Sequence, residues 1–206
     1  QTCALPILAV IPALLLALMR LSKSKVIQCI SGAYIAVFRS TPLLVQLSII
    51  YFGLFTAISI PRITILGFVD LSRFIPGVVA LALNSSAYVA EIFRAGILAV
   101  DKGQTEAARS LGLSSWQSMK LVVLPQAIKN VLPALANEIV TMVKESSICS
   151  MLGMAELMFV SKTVATGTYI TLAPYTIAAL IYFCINYPAS KAIEAIERRM
   201  RRGDKQ

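Results

Sequence analysis

Apolar positions along the chain gather into long runs that are separated by short polar segments. The hydrocarbon core of a bilayer is about 30 Å thick, and a helix needs about 20 mostly apolar residues to cross it. The pattern therefore predicts an all-α integral membrane protein with about five transmembrane helices. The predicted crossings are residues 5–19, 42–60, 74–93, 131–160 with a polar interruption, and 169–188.

Composition supports a lipid environment, because 57% of the residues are hydrophobic and only 14% are charged. Histidine is absent, which removes the usual catalytic base and the commonest metal ligand. We therefore expect no enzymatic activity, no metal and no cofactor in this chain. The four cysteines form no C-x-x-C pair, and we expect them to be small buried thiols: Cys3, Cys29, Cys149 and Cys184.

The basic residues that give the net charge of +9 are concentrated in the loops between predicted crossings and in the C-terminal tail. We therefore attribute the charge to membrane topology rather than to nucleic-acid binding. Basic residues without acids mark residues 20–39, and a second basic group follows Lys191. Cytoplasmic loops are rich in Lys and Arg, so the N-terminus is predicted outside and the C-terminus inside. The cluster at 198–202 would then either meet anionic headgroups or form a solvated helix end. Residues 101–126 also fall on the cytoplasmic side.

The organisation along the chain is that of one membrane domain, predicted at residues 8–201, with a cytoplasmic tail at 202–206. Residues 1–7 match a translated sequencing-adapter read and are expected to be non-native, with a truncated first helix after them. Five helices are too few to enclose a pathway comfortably. We therefore expect a second copy or a sister subunit.

Two short helices are predicted in the cytoplasmic segment. Residues 104–112 have an acid in the first turn, a base in the last and Gly112 where the helix stops. Ser114 and Gln117 have capping-box spacing, and Pro125 is expected to end the second helix.

This helix pair has two possible roles. Ala107 and Ala108 would let another backbone approach closely, and Leu111, Leu113 and Trp116 would serve as apolar anchors in the groove of a partner. An amphipathic helix lying on lipid headgroups would have a similar pattern. Spacing alone leaves both interpretations open.

A resemblance separates them. Residues 106–114 (EAARSLGLS), continuing through 124–133, resemble the EAA loop of type I ABC importer permeases. Further stretches at 38–46, 83–94 and 101–104 resemble the polar amino acid permeases of that family. The resemblance covers about residues 14–201.

The resemblance implies a type I ABC importer permease fold with a cytoplasmic EAA coupling helix, in the plasma membrane of a bacterium. The implied partners are two ATPase subunits, another permease subunit and an extracytoplasmic amino-acid-binding protein. ATP and Mg would belong to the ATPase, since the chain has no G-x-x-x-x-G-K-[ST] motif. The expected contacts with the ATPase are Glu106, Ala107, Ala108, Leu111 and Gly112.

Polar residues recur on one face of two predicted crossings. Polar and ionisable groups are costly in lipid and usually face protein or a water-filled path, so both stripes are predicted to line the pathway. For Glu91, an interfacial ion pair with Arg94 remains an alternative. The candidate pathway residues are Asn84, Ser85, Tyr88 and Glu91 on the third crossing, and Asn137, Glu138, Thr141 and Lys144 on the fourth.

The fourth apolar stretch is interrupted by residues 144–147, where we predict a broken helix and a gate. For a zwitterionic solute, Glu138, Glu91 and Asn84 would accept from the ammonium, whereas Lys144, Thr141 and Asn137 would donate to the carboxylate. Near the second stretch, Thr41-Pro42 predicts either a kink or a simple helix start.

Two other function classes remain compatible with these polar stripes. A stand-alone secondary transporter or channel would be driven by an ion gradient through Glu91, Glu138 and Lys144. A membrane scaffold without a pathway would pack its two polar stripes against each other.

Overall fold

The computed structural model describes residues 4–58, 63–65 and 69–202 of the chain. Almost all of this part is helical, with two short antiparallel strands, β1 (Thr64–Ile65) and β2 (Val69–Asp70). The helices are α1 (Ala4–Arg20), α2 (Lys25–Ser40), α3 (Leu43–Ser48), α4 (Thr56–Ile58), α5 (Leu71–Leu98), α6 (Lys102–Ser110), α7 (Ser115–Ser118), α8 (Leu124–Glu145), α9 (Leu157–Thr168) and α10 (Leu172–Arg202).

Three continuous helical segments in the described residues are long and apolar enough to cross a membrane: Leu71–Leu98, Ser115–Leu152 and Leu172–Met200. A fourth is possible if α2 and the segment Leu43–Ile58 form one bent span. Helix α1 is apolar but shorter. The count of five therefore stays a prediction. Residues 1–3, 59–60 and 203–206, which fall within predicted segments, lie outside the described part.

Helix α5 occupies the centre of the fold. Ala9, Ala13 and Ala17 recur every fourth residue on α1 and are 0–1% exposed. Ala13 and Ala17 belong to the same buried cluster as Ala87 and Ala90 of α5. Small side chains let membrane helices approach closely and gain dispersion contacts. This spacing explains why α1 packs along α5.

Helices α5 and α8 are in close contact at Gly96. A Cβ placed on Gly96 would lie 2.2 Å from Cγ2 of Val131 and 3.3 Å from the carbonyl oxygen of Ala127. The Asn130 side-chain amide also donates to the Gly96 carbonyl at 3.4 Å. The absence of a side chain at Gly96 is therefore what lets these two helices touch.

The chain breaks sharply at Thr41-Pro42, where α2 and the following helical segment are bent by 106°. Pro42 has extended dihedrals and caps α3. Of the two alternatives stated for Thr41-Pro42, the helix start is confirmed, because α2 ends at Ser40 and α3 begins at Leu43.

Two predicted helix ends are wrong. The second helix of the cytoplasmic segment, α7, does not end at Pro125 but continues into α8. A π-helical turn at Met119–Val123 widens the backbone spiral just before the proline ring and so makes room for it. Residues 144–147 do not break the helix either: α8 continues as a 3₁₀ segment, Ser146–Leu152. Ser146 and Ser147 donate to the carbonyls of Val143 and Lys144 at 2.8 and 2.7 Å, which satisfies both hydroxyls inside the helix.

The break in this region lies instead at Gly153, which adopts φ +72°. Glycine reaches that conformation without a steric penalty, so the chain turns there and begins the separate helix α9. At the other end of the chain, α10 runs through Pro188 well beyond the predicted crossing.

The prediction of buried thiols is correct for Cys149 but wrong for Cys29 and Cys184, which are exposed on this single chain, and Cys3 lies outside the described residues. An apolar run places only one face of its helix against the core, and sequence does not say which face carries a given thiol.

Candidate coupling surface and polar pathway

Helix α6 is built as a short, capped element. Oδ1 of Asp101 accepts from the backbone N–H of Gly103 at 2.7 Å, which satisfies a free donor at the helix N-terminus. At the other end, Gly112 adopts φ +85°, and the N–H of Leu113 bonds to the carbonyl of Ala108 at 3.2 Å. The predicted stop at Gly112 is confirmed.

Helix α7 begins at the predicted capping box. The Ser114 N–H donates to Oε1 of Gln117 at 2.8 Å, and the Gln117 N–H donates to Oγ of Ser114 at 3.2 Å. Large apolar side chains are uncovered on α7 and on the π-helical turn that follows it, where Trp116 is 72% and Leu121 61% exposed. The two helices thus form a turned pair with an uncovered apolar surface.

Four of the five predicted coupling residues lie on this surface. Glu106, Ala107 and Gly112 are exposed, and Leu111 is 84% exposed. Ala108 is 4% exposed and is turned inward against the rest of the chain. A direct contact of Ala108 with a partner therefore does not fit this structure; the residue instead supports the shape of the pair.

The pair is attached to both long helices. Only residues 99–101 separate α6 from the end of α5, and the second helix continues without a break into α8. The Gln126 side chain, near the start of α8, donates to Oε1 of Gln104 in α6 at 3.3 Å. A displacement of the pair would therefore reach α5 and α8 together, close to the contact at Gly96.

The predicted stripe on α5 separates into four different networks. Asn84 is 3% exposed and donates to Oε1 of Gln46 at 2.8 Å. Glu91 forms an ion pair with Arg94, which confirms the alternative stated for it. The guanidinium of Arg39 lies 5.4 Å from the centre of the Tyr88 ring.

The fourth residue, Ser85, links the two stripes. Its hydroxyl bonds to Oε1 of Glu138 at 3.3 Å and lies 3.2 Å from the sulfur of Met142. Glu138 and Thr141 are half-buried, whereas Asn137 and Lys144 are exposed on the single chain. The α8 stripe therefore runs from a contact with α5 to an uncovered polar face.

Sequence reasoning missed Gln46, which lies inside an apolar run. Its amide nitrogen donates to the carbonyls of Phe38 at 2.8 Å and Thr41 at 3.0 Å, on the far side of the bend. A single buried amide within an apolar segment was the available signal, because such a group must find partners.

The fold and this site belong to a defined class of membrane protein. The family model of the binding-protein-dependent transport system inner membrane component matches residues 5–202. The chain therefore belongs to this family and is a multi-pass component of the inner membrane.

Several relatives of known name are similar over nearly the whole chain. The putative glutamine transport system permease protein GlnP of Rickettsia typhi is 43% identical over 94% of this chain and 85% of its own length. The arginine transport system permease protein ArtQ of Bacillus subtilis is 42% identical over 96% of this chain and 86% of its own.

A solved structure of an amino acid ABC transporter with histidines is 48% identical, with a TM-score of 0.83 over 96% of this chain and 90% of that chain. The inward-facing MetNI methionine ABC transporter is 18% identical with a TM-score of 0.71, over 97% and 92%, and shares the fold. The fold is that of a type I ABC importer permease, and the chain is a permease subunit of an ATP-driven importer.

Proposed function

We propose that this chain is the pathway-forming permease of an ATP-driven importer for polar amino acids. The observation that carries the proposal is the capped helix pair α6–α7, which exposes Leu111 and Trp116 while joining α5 to α8. The 42–48% identity to permeases and a transporter whose names specify amino acids supports the substrate class.

The partner of the helix pair is an ATPase that binds ATP and Mg, and this chain contributes no cofactor or catalytic group of its own. Exposed anchors surrounded by small side chains suit a groove in another protein. Closure of that groove moves the pair, and its direct connections to α5 and α8 pass the motion to both helices, which touch at Gly96. An extracytoplasmic binding protein delivers the solute from the other side.

A second permease subunit completes the pathway. Asn137 and Lys144 are exposed on α8 within a membrane-spanning segment, where contact with lipid would be costly. Another permease facing this stripe would enclose a polar path. In that path, Glu138 serves the substrate ammonium, whereas Lys144 and Thr141 serve its carboxylate.

The orientation follows the basic segments, with the N-terminus outside and the C-terminus in the cytoplasm. This puts α6 and α7 on the ATPase side of the membrane.

The test is uptake of radiolabelled glutamine and arginine into proteoliposomes that contain the chain, its sister permease where one exists, the ATPase and the binding protein. The parent should require ATP. Ala107→Glu should reduce uptake about tenfold or more, since it buries an unpaired charge in the groove.

Ala195→Glu is the matched control, because Ala195 is also an exposed alanine on a helix at the predicted cytoplasmic end of α10. It should leave uptake near the parent level. Uptake by the purified chain without ATP would refute the proposal. It would favour the alternative of a stand-alone ion-coupled transporter, which the family assignment does not favour.

A further inference from the structure

An open polar pocket of about 440 Å³ lies between α1, α2 and α5, apart from the α8 stripe. Its walls include Arg20 at the end of α1, Arg39 near the end of α2, and Tyr88 and Glu91 of α5. Two guanidinium groups from different helices therefore line one cavity.

The positive charge of this pocket is only partly balanced within the described chain, because Glu91 is its one acidic lining residue. Glu91 is engaged by Arg94, whose Nε donates to Oε1 of Glu91 at 2.9 Å. In the part of the chain that the structure describes, Arg20 and Arg39 have no carboxylate within ion-pair distance. The pocket is therefore suited to an anion.

Arg20 has unused hydrogen-bonding capacity. Its side chain makes one long bond, from a terminal nitrogen to the Gln28 carbonyl at 3.4 Å, and its buried Nε has no partner among the described residues. Gly32 makes room for the guanidinium, because a Cβ there would lie 2.9 Å from that terminal nitrogen. Arg39 is held over the Tyr88 ring.

The pocket lies beside an amphipathic helix. Helix α2 exposes Val26, Ile30 and Val37, which are 58–68% exposed, while Lys23 and Lys25 mark its N-terminal end. The 106° break separates it from the following helical segment. Such a helix lies in the headgroup region with its apolar side in the acyl chains, where lipid phosphates are at high local concentration.

We propose that this pocket binds the phosphate group of an anionic membrane lipid of the phosphatidylglycerol type. A guanidinium makes charge-assisted, often bidentate bonds to phosphate oxygens. Arg39 and Arg20 hold the phosphate from two sides, and the acyl chains lie against the apolar face of α2. The bound lipid joins α1 and α2 to α5.

The experiment is native mass spectrometry of the purified full chain, titrated in detergent with phosphatidylglycerol or phosphatidylcholine. The parent should bind phosphatidylglycerol at least tenfold more tightly than phosphatidylcholine. Arg39→Gln should weaken phosphatidylglycerol binding about tenfold. Lys25→Gln removes the same charge from an exposed position on the same helix and should change binding less than twofold.

Arg39→Lys keeps the charge and serves as a second variant if Arg39→Gln does not fold. Its loss of phosphatidylglycerol affinity should be smaller than that of Arg39→Gln but measurable, because lysine cannot bond bidentately to the phosphate. Equal losses in the Lys25 and Arg39 variants would overturn the proposal in favour of non-specific attraction. Displacement of the lipid by millimolar glutamine or arginine would also overturn it, since the pocket would then hold the carboxylate of a substrate.

Discussion

Gln46 is the residue on which the bend at Thr41-Pro42 depends. Its amide reaches back to the carbonyls of Phe38 and Thr41, and its oxygen accepts from Asn84 on α5. One 7% exposed side chain thus joins α2, α3 and α5. Asn84 is accordingly a structural partner of the bend as well as a candidate pathway residue.

Replacement of Gln46 by methionine should destabilise the chain by about 1–2 kcal/mol, because it removes the bonds to the Phe38 and Thr41 carbonyls and leaves Asn84 with only its 3.4 Å bond to the Phe38 carbonyl. The measurement is the thermal unfolding midpoint of purified protein in detergent. Ser48→Ala is the control: Ser48 is half-buried and its hydroxyl donates to the Leu44 carbonyl one turn earlier, so the midpoint of this variant should stay near the parent value. If Gln46→Met were as stable as the parent, the bend would not depend on Gln46.

Gly112 has a specific backbone requirement. Its φ of +85° disfavours any side chain, although a Cβ there would meet nothing within 4 Å. Gly112→Ala should therefore cost about 1–2 kcal/mol through backbone strain alone. Gly53→Ala, with equally open space but no positive φ, should be neutral or slightly stabilising. Hydrogen exchange of residues 102–118 measures the local effect; unchanged protection in Gly112→Ala would contradict it.

At the scale of elements, the contact between α5 and α8 should be sensitive to a single methyl group. Gly96→Ala places its Cβ on Val131 and should destabilise the chain by about 1–3 kcal/mol. Val131→Ala removes the clashing methyl, so the double variant should be more stable than Gly96→Ala alone by about 1 kcal/mol. Thermal unfolding of the four proteins gives this comparison, and simple additivity would argue against the contact.

Element boundaries show why apolar patterning misplaced some breaks. Lys144, Glu145 and the two serines interrupt hydropathy, yet their backbone continues as a helix because the hydroxyls bond within it. Pro125 stays inside a helix because the preceding π turn accommodates it. Gly153 determines the true break through its left-handed dihedrals. Hydropathy indicates which segments lie in lipid, whereas the position of a helix break depends on backbone dihedrals.

At the scale of the whole molecule, the predicted orientation can be tested by cysteine labelling. In a background without native cysteines, Thr171→Cys should react with a membrane-impermeant maleimide added to intact cells, because it precedes α10 on the predicted outer side. Ala195→Cys should react only after the cells are opened. The reverse pattern would invert the topology.

Much of the coupling surface could be predicted from sequence, since caps and turns are local. Asp101, Gly112 and the Ser114–Gln117 box form bonds within a few residues of one another. The networks at Asn84, Tyr88 and Glu91 could not be predicted in full, because two of the three partners are distant: Gln46 and Arg39 come from other helices, 38 and 49 positions away in the sequence.

The sequence by itself determined the helical membrane class, the capped pair α6–α7 and the glycine stop, because hydropathy, capping and φ preferences act over one or two turns. Only the tertiary structure decided which polar groups meet. Ser85 reaches Glu138, and Arg20 and Arg39 share a pocket, because the alanines of α1 and the missing side chain at Gly96 bring distant helices into contact around α5.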